Sequence, residues 1–297
     1  MQVHFIGIGE VNMCNLAIAL RKKGEKVTGS DAVFDESLNA IMQEQGLEYN
    51  ETGWSSDKIN DRLDAVILGA SIKKDNPELA KAQELGLRIF SCPEFLYEQS
   101  KYKTRVVVAG SKQKKTIASM ILHVLEYNDV EVDYALSVQN GLQLTEENDF
   151  IVIEGIDHPS SVIDNTPQFQ KHRPNIALLS DIEFEEGSFY TDFETYAEQY
   201  SIFVDSIVKG GSITYNDEDM EVRKLVESSE NPIRKFPYAT PEYQEADGEV
   251  FLDTPDGEMP LEISGATDLR NMAGAKWICQ QMGVDEVEFY EAMATFE

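Results

Sequence analysis

The 297 residues are 42% apolar and carry a net charge of −29, from 54 acidic and 25 basic side chains. This composition excludes a disordered chain and predicts about two globular domains. Most of the excess of acids lies after residue 103, where the chain has 38 acidic and 13 basic side chains. A strongly negative surface of this kind repels nucleic acid and anionic membranes.

The excess of acids has two interpretations. A solubilising surface is the simpler one, and an acidic face for a basic protein partner is the alternative. No apolar run is long enough to span a membrane, and no signal peptide is expected before the first strand pattern. Cys14, Cys92 and Cys279 are odd in number and far apart, which predicts reduced thiols in a cytoplasmic protein.

The first hundred residues alternate between strand and helix patterns. Strands are predicted at 3–9, 26–30, 65–68 and 88–91, and helices at 13–23, 36–44, 77–85 and 93–99. This βαβ rhythm predicts an α/β fold with a Rossmann-like, doubly wound parallel sheet. A polar break at 101–104 places the predicted boundary, with one domain at 1–103 and another at 104–297.

The second part of the chain is also predicted to be α/β. Strands are expected at 105–109, 150–153, 176–179 and 211–215, and helices at 116–127, 193–207 and 218–228. Further on, Thr254-Pro255-Asp256-Gly257 separates two strand patterns and predicts a β-hairpin. The last helices are predicted at 268–282 and 286–295.

A strand–turn–helix segment, TRVVVAGSKQKKTIAS at 104–119, has the context of a nucleotide phosphate loop. Such a loop binds phosphate through consecutive backbone N–H groups at a helix N-terminus. Glycine normally precedes the lysine of this loop, because glycine tolerates the required dihedral angles. Here Gln113 precedes Lys114, and Lys115 stands where a hydroxyl would hold Mg²⁺. The scaffold of a nucleotide enzyme is therefore predicted, with its chemistry eroded.

The order of these features resembles the Mur ligases, within them the branch of UDP-N-acetylmuramate–L-alanine ligase and murein-peptide ligase. The matching segments are HFIGIG at 4–9, GSD at 29–31, LGASIKKDNPELAKAQELG at 68–86, VAGS at 108–111 and ISGATDLRNMAGA at 263–275. The resemblance implies a Rossmann-like UDP-substrate domain and a P-loop-like central ATPase domain, with the family's C-terminal domain absent. It also implies ATP and Mg²⁺ as cofactors and a UDP-muramoyl sugar as ligand.

The resemblance assigns a substrate site to the first domain. The residues that it implies for substrate binding are Gly7, Gly9, Asp31 and Ser71. Glu10 replaces a residue of the pyrophosphate approach, and an added anion there opposes phosphate binding. The two glycines with Asp31 downstream also fit a dinucleotide-binding loop, which is the alternative.

The resemblance assigns a nucleotide site to the second domain. The residues implied for cofactor binding are Gly110, Ser111, Lys114 and Asn271, and those implied as catalytic remnants are Lys114, Thr116, Glu154 and Asp157. Lysines 112, 114 and 115 are expected to form a solvated basic helix start, and an anion-binding loop is the alternative.

Three departures from the family pattern argue against metal chemistry. Ile156 replaces an acid, Asp157 is shorter than the family glutamate that meets Mg²⁺, and Glu186 replaces a histidine. Glu183, Glu185 and Glu186 then form an acidic cluster that is expected to be solvated, with Ca²⁺ binding as the alternative. No metal site and no bound cofactor are predicted for this chain.

These patterns predict a non-catalytic binding or regulatory homologue of the Mur ligases. Its expected partner is a UDP-muramoyl sugar or a basic protein, and neither nucleic acid nor membrane. Two alternatives stay open. One is an active ATP-dependent UDP-N-acetylmuramate ligase completed by a separate C-terminal domain, and the other is an acidic protein-interaction scaffold.

Overall fold

The structure is a computed structural model that describes residues 1–33, 36–47, 52–246, 249–254, 257–261, 263 and 265–296. The chain forms two compact units. The first contains Met1–Lys103, Asp133–Asn148 and His158–His172, and the second contains Thr104–Val132, Asp149–Asp157 and Arg173–Glu297. Two segments beyond the boundary expected at residue 103 therefore lie in the first unit. The assignment of independent domains to 1–103 and 104–297 stays a prediction.

Strands occur along the whole described chain. They are β1 (Gln2–Ile6), β2 (Lys26–Ser30), β3 (Ala65–Leu68), β4 (Ile89–Ser91), β5 (Thr104–Ala109), β6 (Asp133–Ala135), β7 (Leu142–Gln143), β8 (Phe150–Glu154), β9 (Pro159–Ser161), β10 (Asp164–Pro167), β11 (Ile176–Leu179), β12 (Ser212–Asn216), β13 (Arg234–Tyr238), β14 (Tyr243–Ala246), β15 (Glu249–Thr254) and β16 (Gly257–Leu261).

Helices alternate with most of these strands. They are α1 (Val11–Lys22), α2 (Glu36–Glu44), α3 (Pro77–Glu84), α4 (Cys92–Ser100), α5 (Lys114–Tyr127), α6 (Gln168–Lys171), α7 (Phe193–Ser206), α8 (Met220–Ser228), α9 (Ala266–Gln281) and α10 (Glu286–Met293). Among the described residues, no helix combines the length and the apolar character needed to cross a membrane.

The first unit contains a parallel sheet in the order β2-β1-β3-β4. Side chains of β3 alternate between two buried clusters: Ala65 and Ile67 lie in one, and Val66 and Leu68 lie in the other. A strand that is apolar on both sides is typical of a sheet covered on both faces. The α/β, doubly wound architecture predicted from the sequence is confirmed.

Helix starts in the first unit follow the local sequence. Asn76 caps α3, because its side chain accepts hydrogen bonds from the amides of Glu78 and Leu79, and Pro77 occupies the first turn. Ser91 and Glu94 form a capping box at the start of α4. Each cap contributes about 1 kcal/mol to helix stability.

The second unit contains a parallel sheet in which β13, β12, β11, β5 and β8 are neighbours in that order. Strand β5 lies inside this sheet, between β11 and β8, and its residues Val106, Val107 and Val108 are fully buried. Parallel strands end at the same edge of a sheet, so the segments that follow β5, β8 and β11 lie side by side. This edge positions the candidate nucleotide site.

The predicted β-hairpin is confirmed, since β15 and β16 pair antiparallel and Thr254 lies opposite Gly257. Pro255 and Asp256, which the sequence places in its turn, lie outside the described residues. The sequence did not predict β13 and β14, nor the short pairs β6–β7 and β9–β10 of the first unit. Strands β13 (RKFPY) and β14 (YQEA) lack a run of apolar residues, and β6, β7, β9 and β10 have only two to four residues each.

Candidate functional site

The loop between β5 and α5 begins with a glycine that the packing requires. Gly110 has φ +147°, and a Cβ atom built on it would lie 1.9 Å from the Ser180 hydroxyl oxygen. Ser180 follows β11, whose residue Leu179 is in register with Ala109 of β5. The two strand ends approach so closely that only glycine fits between them.

The amides of this loop converge on one carboxylate. Asp181 Oδ2 accepts hydrogen bonds from the backbone N–H groups of Ser111 (3.1 Å) and Lys112 (2.9 Å). Its Oδ1 accepts from the Gln113 N–H (3.3 Å) and from the Ser180 hydroxyl (2.6 Å). Consecutive amides at a helix start are the groups that bind phosphate in nucleotide loops. In this chain a carboxylate holds them.

The lysine of the loop is buried among oxygen atoms of the protein. Lys114 Nζ donates to the carbonyl oxygens of Gly110 (2.9 Å) and Ser111 (3.2 Å) and lies 3.6 Å from Asp157 Oδ1. The side chain is 11% exposed. The expectation of a solvated lysine is therefore wrong for Lys114, because the turn folds its ammonium group back onto the loop carbonyls.

The two neighbouring lysines differ from Lys114. Lys112 forms an ion pair with Glu183, which raises the pKa of the lysine, and Lys115 is exposed on the first turn of α5. Glu183, Glu185 and Glu186 are all exposed. The acidic segment thus has the solvated character expected from the sequence, apart from the ion pair to Lys112.

A tyrosine network surrounds Asp157. Tyr196 donates its hydroxyl to Asp157 Oδ2 (2.8 Å), and Tyr190 donates to the Asp157 carbonyl oxygen (2.6 Å). With its proton committed to Asp157, the Tyr196 oxygen accepts from Ser111 or Tyr200, each at 2.9 Å. Burial, aided by the charge of Asp157, raises the pKa of Tyr190 to about 12, so this phenol is neutral at pH 7.

The sequence reasoning missed both Asp181 and this network. Tyr196 and Tyr200 are spaced i, i+4 on α7, a pattern that is typical of a core stripe and carries no signal of a site. Asp181 stands in a loop rich in acids. Only its position two residues after the buried strand β11, which is adjacent to β5, distinguishes it from the other acids.

The remaining predicted residues of the nucleotide site are also found at or near this edge. Asn271 of α9 donates to Gln113 Oε1 (2.9 Å), so it reaches the loop through a side chain. Glu154 is buried at the end of β8, and Thr116 is half-buried on α5. The structure therefore brings Gly110, Ser111, Lys114, Asp157 and Asn271 into one neighbourhood.

The residues present do not fit a Mg²⁺ site. Magnesium requires octahedral oxygen ligands, but the Asp157 carboxylate is taken by Tyr196 and lies beside the Lys114 ammonium. Across the part of the chain that the structure describes, no three His, Cys, Asp or Glu side chains are grouped so that they could hold a metal ion.

The predicted substrate residues of the first unit lie at the carboxyl ends of its strands. Gly7 has φ +94° and turns the chain after β1, and the Gly9 N–H donates to Asp31 Oδ2 (2.9 Å). Asp31 follows β2, and its other oxygen accepts from the Ala32 N–H (2.7 Å). This carboxylate therefore ties two neighbouring strand ends together.

Glu10 accepts a second set of hydrogen bonds at the same edge of the sheet. Its carboxylate accepts from the Ala70 N–H (3.1 Å), the Ser71 N–H (2.9 Å) and the Ser71 hydroxyl (2.5 Å). The sequence predicted that Glu10 repels a pyrophosphate. The structure adds that Glu10 itself occupies the amides of the turn after β3. The structure thus joins Gly9 to Asp31 and Ser71 to Glu10.

Comparisons with known proteins agree with this fold. The family model described as Mur ligase family, catalytic domain, matches residues 2–104. The UDP-N-acetylmuramate–L-alanine ligase of Carboxydothermus hydrogenoformans is 26% identical over 100% of this chain and 65% of its own length. That of Clostridium perfringens is 32% identical over 76% of this chain and 48% of its own length. The chain thus spans about half to two thirds of these relatives.

Solved structures show the same fold at lower identity. A murein-peptide ligase (MPL) structure from Neisseria meningitides superposes with a TM-score of 0.86 at 22% identity, covering 100% of this chain and 98% of that one. The UDP-N-acetylmuramate–alanine ligase of Thermotoga maritima gives a TM-score of 0.76 at 19% identity, over 100% of this chain and 68% of that one. Together, the family model that matches residues 2–104 and the curated relatives show that this chain is related to the Mur ligases, and the solved structures share its fold.

Proposed function

We propose that this chain is a non-catalytic binding or regulatory homologue of the peptidoglycan Mur ligases, and that it does not turn over ATP. One observation carries the proposal. The lysine and the acid expected to handle phosphate and metal are bonded to groups of the protein instead: Lys114 to loop carbonyls and Asp157 to Tyr196. Both would have to be released before they could act on a nucleotide.

The energetic consequence is large. Catalysis depends mainly on groups that are preorganised toward developing charge, and losing one such donor costs about 2.7–4 kcal/mol, or roughly 10²–10³ in rate. The loop lacks its glycine before Lys114, its hydroxyl at position 115 and a fitting metal site. Three such losses together would place turnover below detection.

Phosphate release from ATP and Mg²⁺, with UDP-N-acetylmuramate and L-alanine added, tests the proposal. We expect no release above a matched blank. Lys114→Ala and Lys115→Ala provide the control pair, because the first lysine is buried in the loop and the second is exposed. Release that Lys114→Ala abolishes and Lys115→Ala preserves would refute the proposal and favour the active ligase.

The ligand proposed for the first unit is a UDP-muramoyl sugar. The support is the shared edge formed by Gly7, Gly9, Asp31 and Ser71, since open parallel sheets bind ligands outside the carboxyl ends of their strands. Titration with UDP-N-acetylmuramate, followed by chemical shift mapping, should move the signals of these four residues. If it moves none of them, the interaction-scaffold alternative, with a basic protein partner, becomes the better explanation. A cytoplasmic location stays a prediction.

A further inference from the structure

We propose that Asp181 is an internal replacement for a bound phosphate, and that its carboxylate closes the amide loop of the second unit in an autoinhibitory contact. Removing this negative charge should open the loop to phosphate-bearing ligands. The inference rests on the proposed function in one respect, namely that the closed loop is the resting state of a chain that does not turn over ATP.

The contact has the form of anion binding. Three consecutive amides, from Ser111 to Gln113, point to the two oxygens of one carboxylate, which is 8% exposed. Asp181 lies about 70 residues from the loop in sequence, so these hydrogen bonds do not belong to a local turn. An acceptor with full negative charge at a helix start is stabilised by both the amides and the helix dipole.

The backbone on both sides of Asp181 is fixed. The Ser180 N–H donates to the Ala109 carbonyl (3.1 Å), and the Ser180 carbonyl accepts from the Asn216 side chain (2.9 Å). On the other side, the Ile182 N–H donates to an oxygen of Asp219 (3.2 Å). These hydrogen bonds position the Asp181 backbone at the sheet edge, so that its carboxylate faces the loop amides.

The side chain of Lys114 is bonded to the loop itself. Its ammonium group donates to the carbonyls of Gly110 and Ser111, on the loop's own backbone. The negative charge that a phosphate would supply to the amides is supplied by Asp181. A phosphate entering this loop would have to sit against that carboxylate, and like charges in contact cost several kcal/mol.

The ligand class follows from the donors. Backbone amides and a lysine recognise phosphate oxygens without regard to the remainder of the molecule, so inorganic phosphate and ADP are the suitable probes. The test compares wild type with Asp181→Asn, which keeps the shape and removes the charge. Asp192→Asn is the matched control: it removes the same charge in the same unit, at the N-cap of α7.

Binding is measured by ¹H–¹⁵N shifts of the loop amides during titration with inorganic phosphate and then with ADP, both without Mg²⁺. We expect wild type and Asp192→Asn to show no loop shifts at millimolar phosphate. Asp181→Asn should bind phosphate at least about tenfold more tightly, because the like-charge repulsion at the loop is removed. Asp181→Ala, which also removes the acceptor atoms, should likewise bind phosphate more tightly than wild type.

Two results would overturn the inference. One is a wild-type protein whose loop amides already shift with phosphate, a measurement that needs no variant to fold. The other is a folded Asp181→Asn or Asp181→Ala protein whose loop amides do not respond. Neither result depends on ATP turnover. Turnover by wild type would contradict the proposed function, whereas the phosphate titration decides the role of Asp181.

Discussion

Replacement of Glu10 by glycine should make the first unit less stable and, at the same time, a better binder of a UDP-sugar. Glu10 holds the Ala70 and Ser71 amides and the Ser71 hydroxyl. A ligand that places a pyrophosphate on these amides must first displace the carboxylate. The same contact therefore stabilises the free protein and opposes the ligand.

The size of the expected loss of stability follows from the three hydrogen bonds that the Glu10 carboxylate accepts. A buried bond of this kind contributes roughly 1.5–3 kcal/mol. Ala70 and Ser71 are exposed, so we assign about 1–2 kcal/mol to all three together, after screening by solvent. Glu10→Gly should lower the free energy of unfolding by about that amount and strengthen UDP-sugar binding roughly 5- to 30-fold.

Thermal unfolding and isothermal titration with UDP-N-acetylmuramate measure the two effects. Glu84→Gln is the matched control, because it removes the same charge from an exposed side chain of α3. The gain in affinity should shrink at high salt, where repulsion is screened. An affinity that stays undetectable after Glu10→Gly would refute this reasoning. So would a gain of equal size in Glu84→Gln, which would assign the effect to net charge.

The remaining predictions concern stability and pH. Gly110→Ala should unfold at a clearly lower temperature than Gly187→Ala, because both have positive φ but only the first would place a Cβ against a serine hydroxyl, 1.9 Å away. Phe203→Ala should cost about 3–5 kcal/mol in denaturant unfolding, whereas Ile202→Ala, at a 44% exposed position, should cost well under half as much. Burial raises the pKa of Cys14 from 9.0 to about 11, so the unfolded chain loses this proton first and stability should fall between pH 9 and 11. Equal melting temperatures for the two glycine variants, equal costs for the α7 pair, or a flat stability profile from pH 8 to 11 would each contradict the corresponding argument.

Much of the fold could be predicted because its strands and helices carry local signals. Strand β3 is four buried apolar residues in a row, and α3 begins at an Asn-Pro-Glu cap. Such patterns depend only on neighbours in sequence and on the period of each element. The departures from the family pattern at Gln113 and Asp157 were equally visible, since they need only the order of residues.

The tertiary structure alone decided what the candidate site does with those departures. Sheet order places β11 next to β5, and this brings Asp181 to amides that lie about 70 positions earlier in the chain. The same packing buries Lys114 and sets Tyr196 against Asp157. No residue pattern encodes such contacts, because hydrogen bonds between distant segments depend on how the strands are ordered in space. The sequence by itself determined the relation to the Mur ligases and the α/β architecture, whereas only the assembled sheet shows that Asp181 accepts from the loop amides after β5 and Glu10 from those after β3.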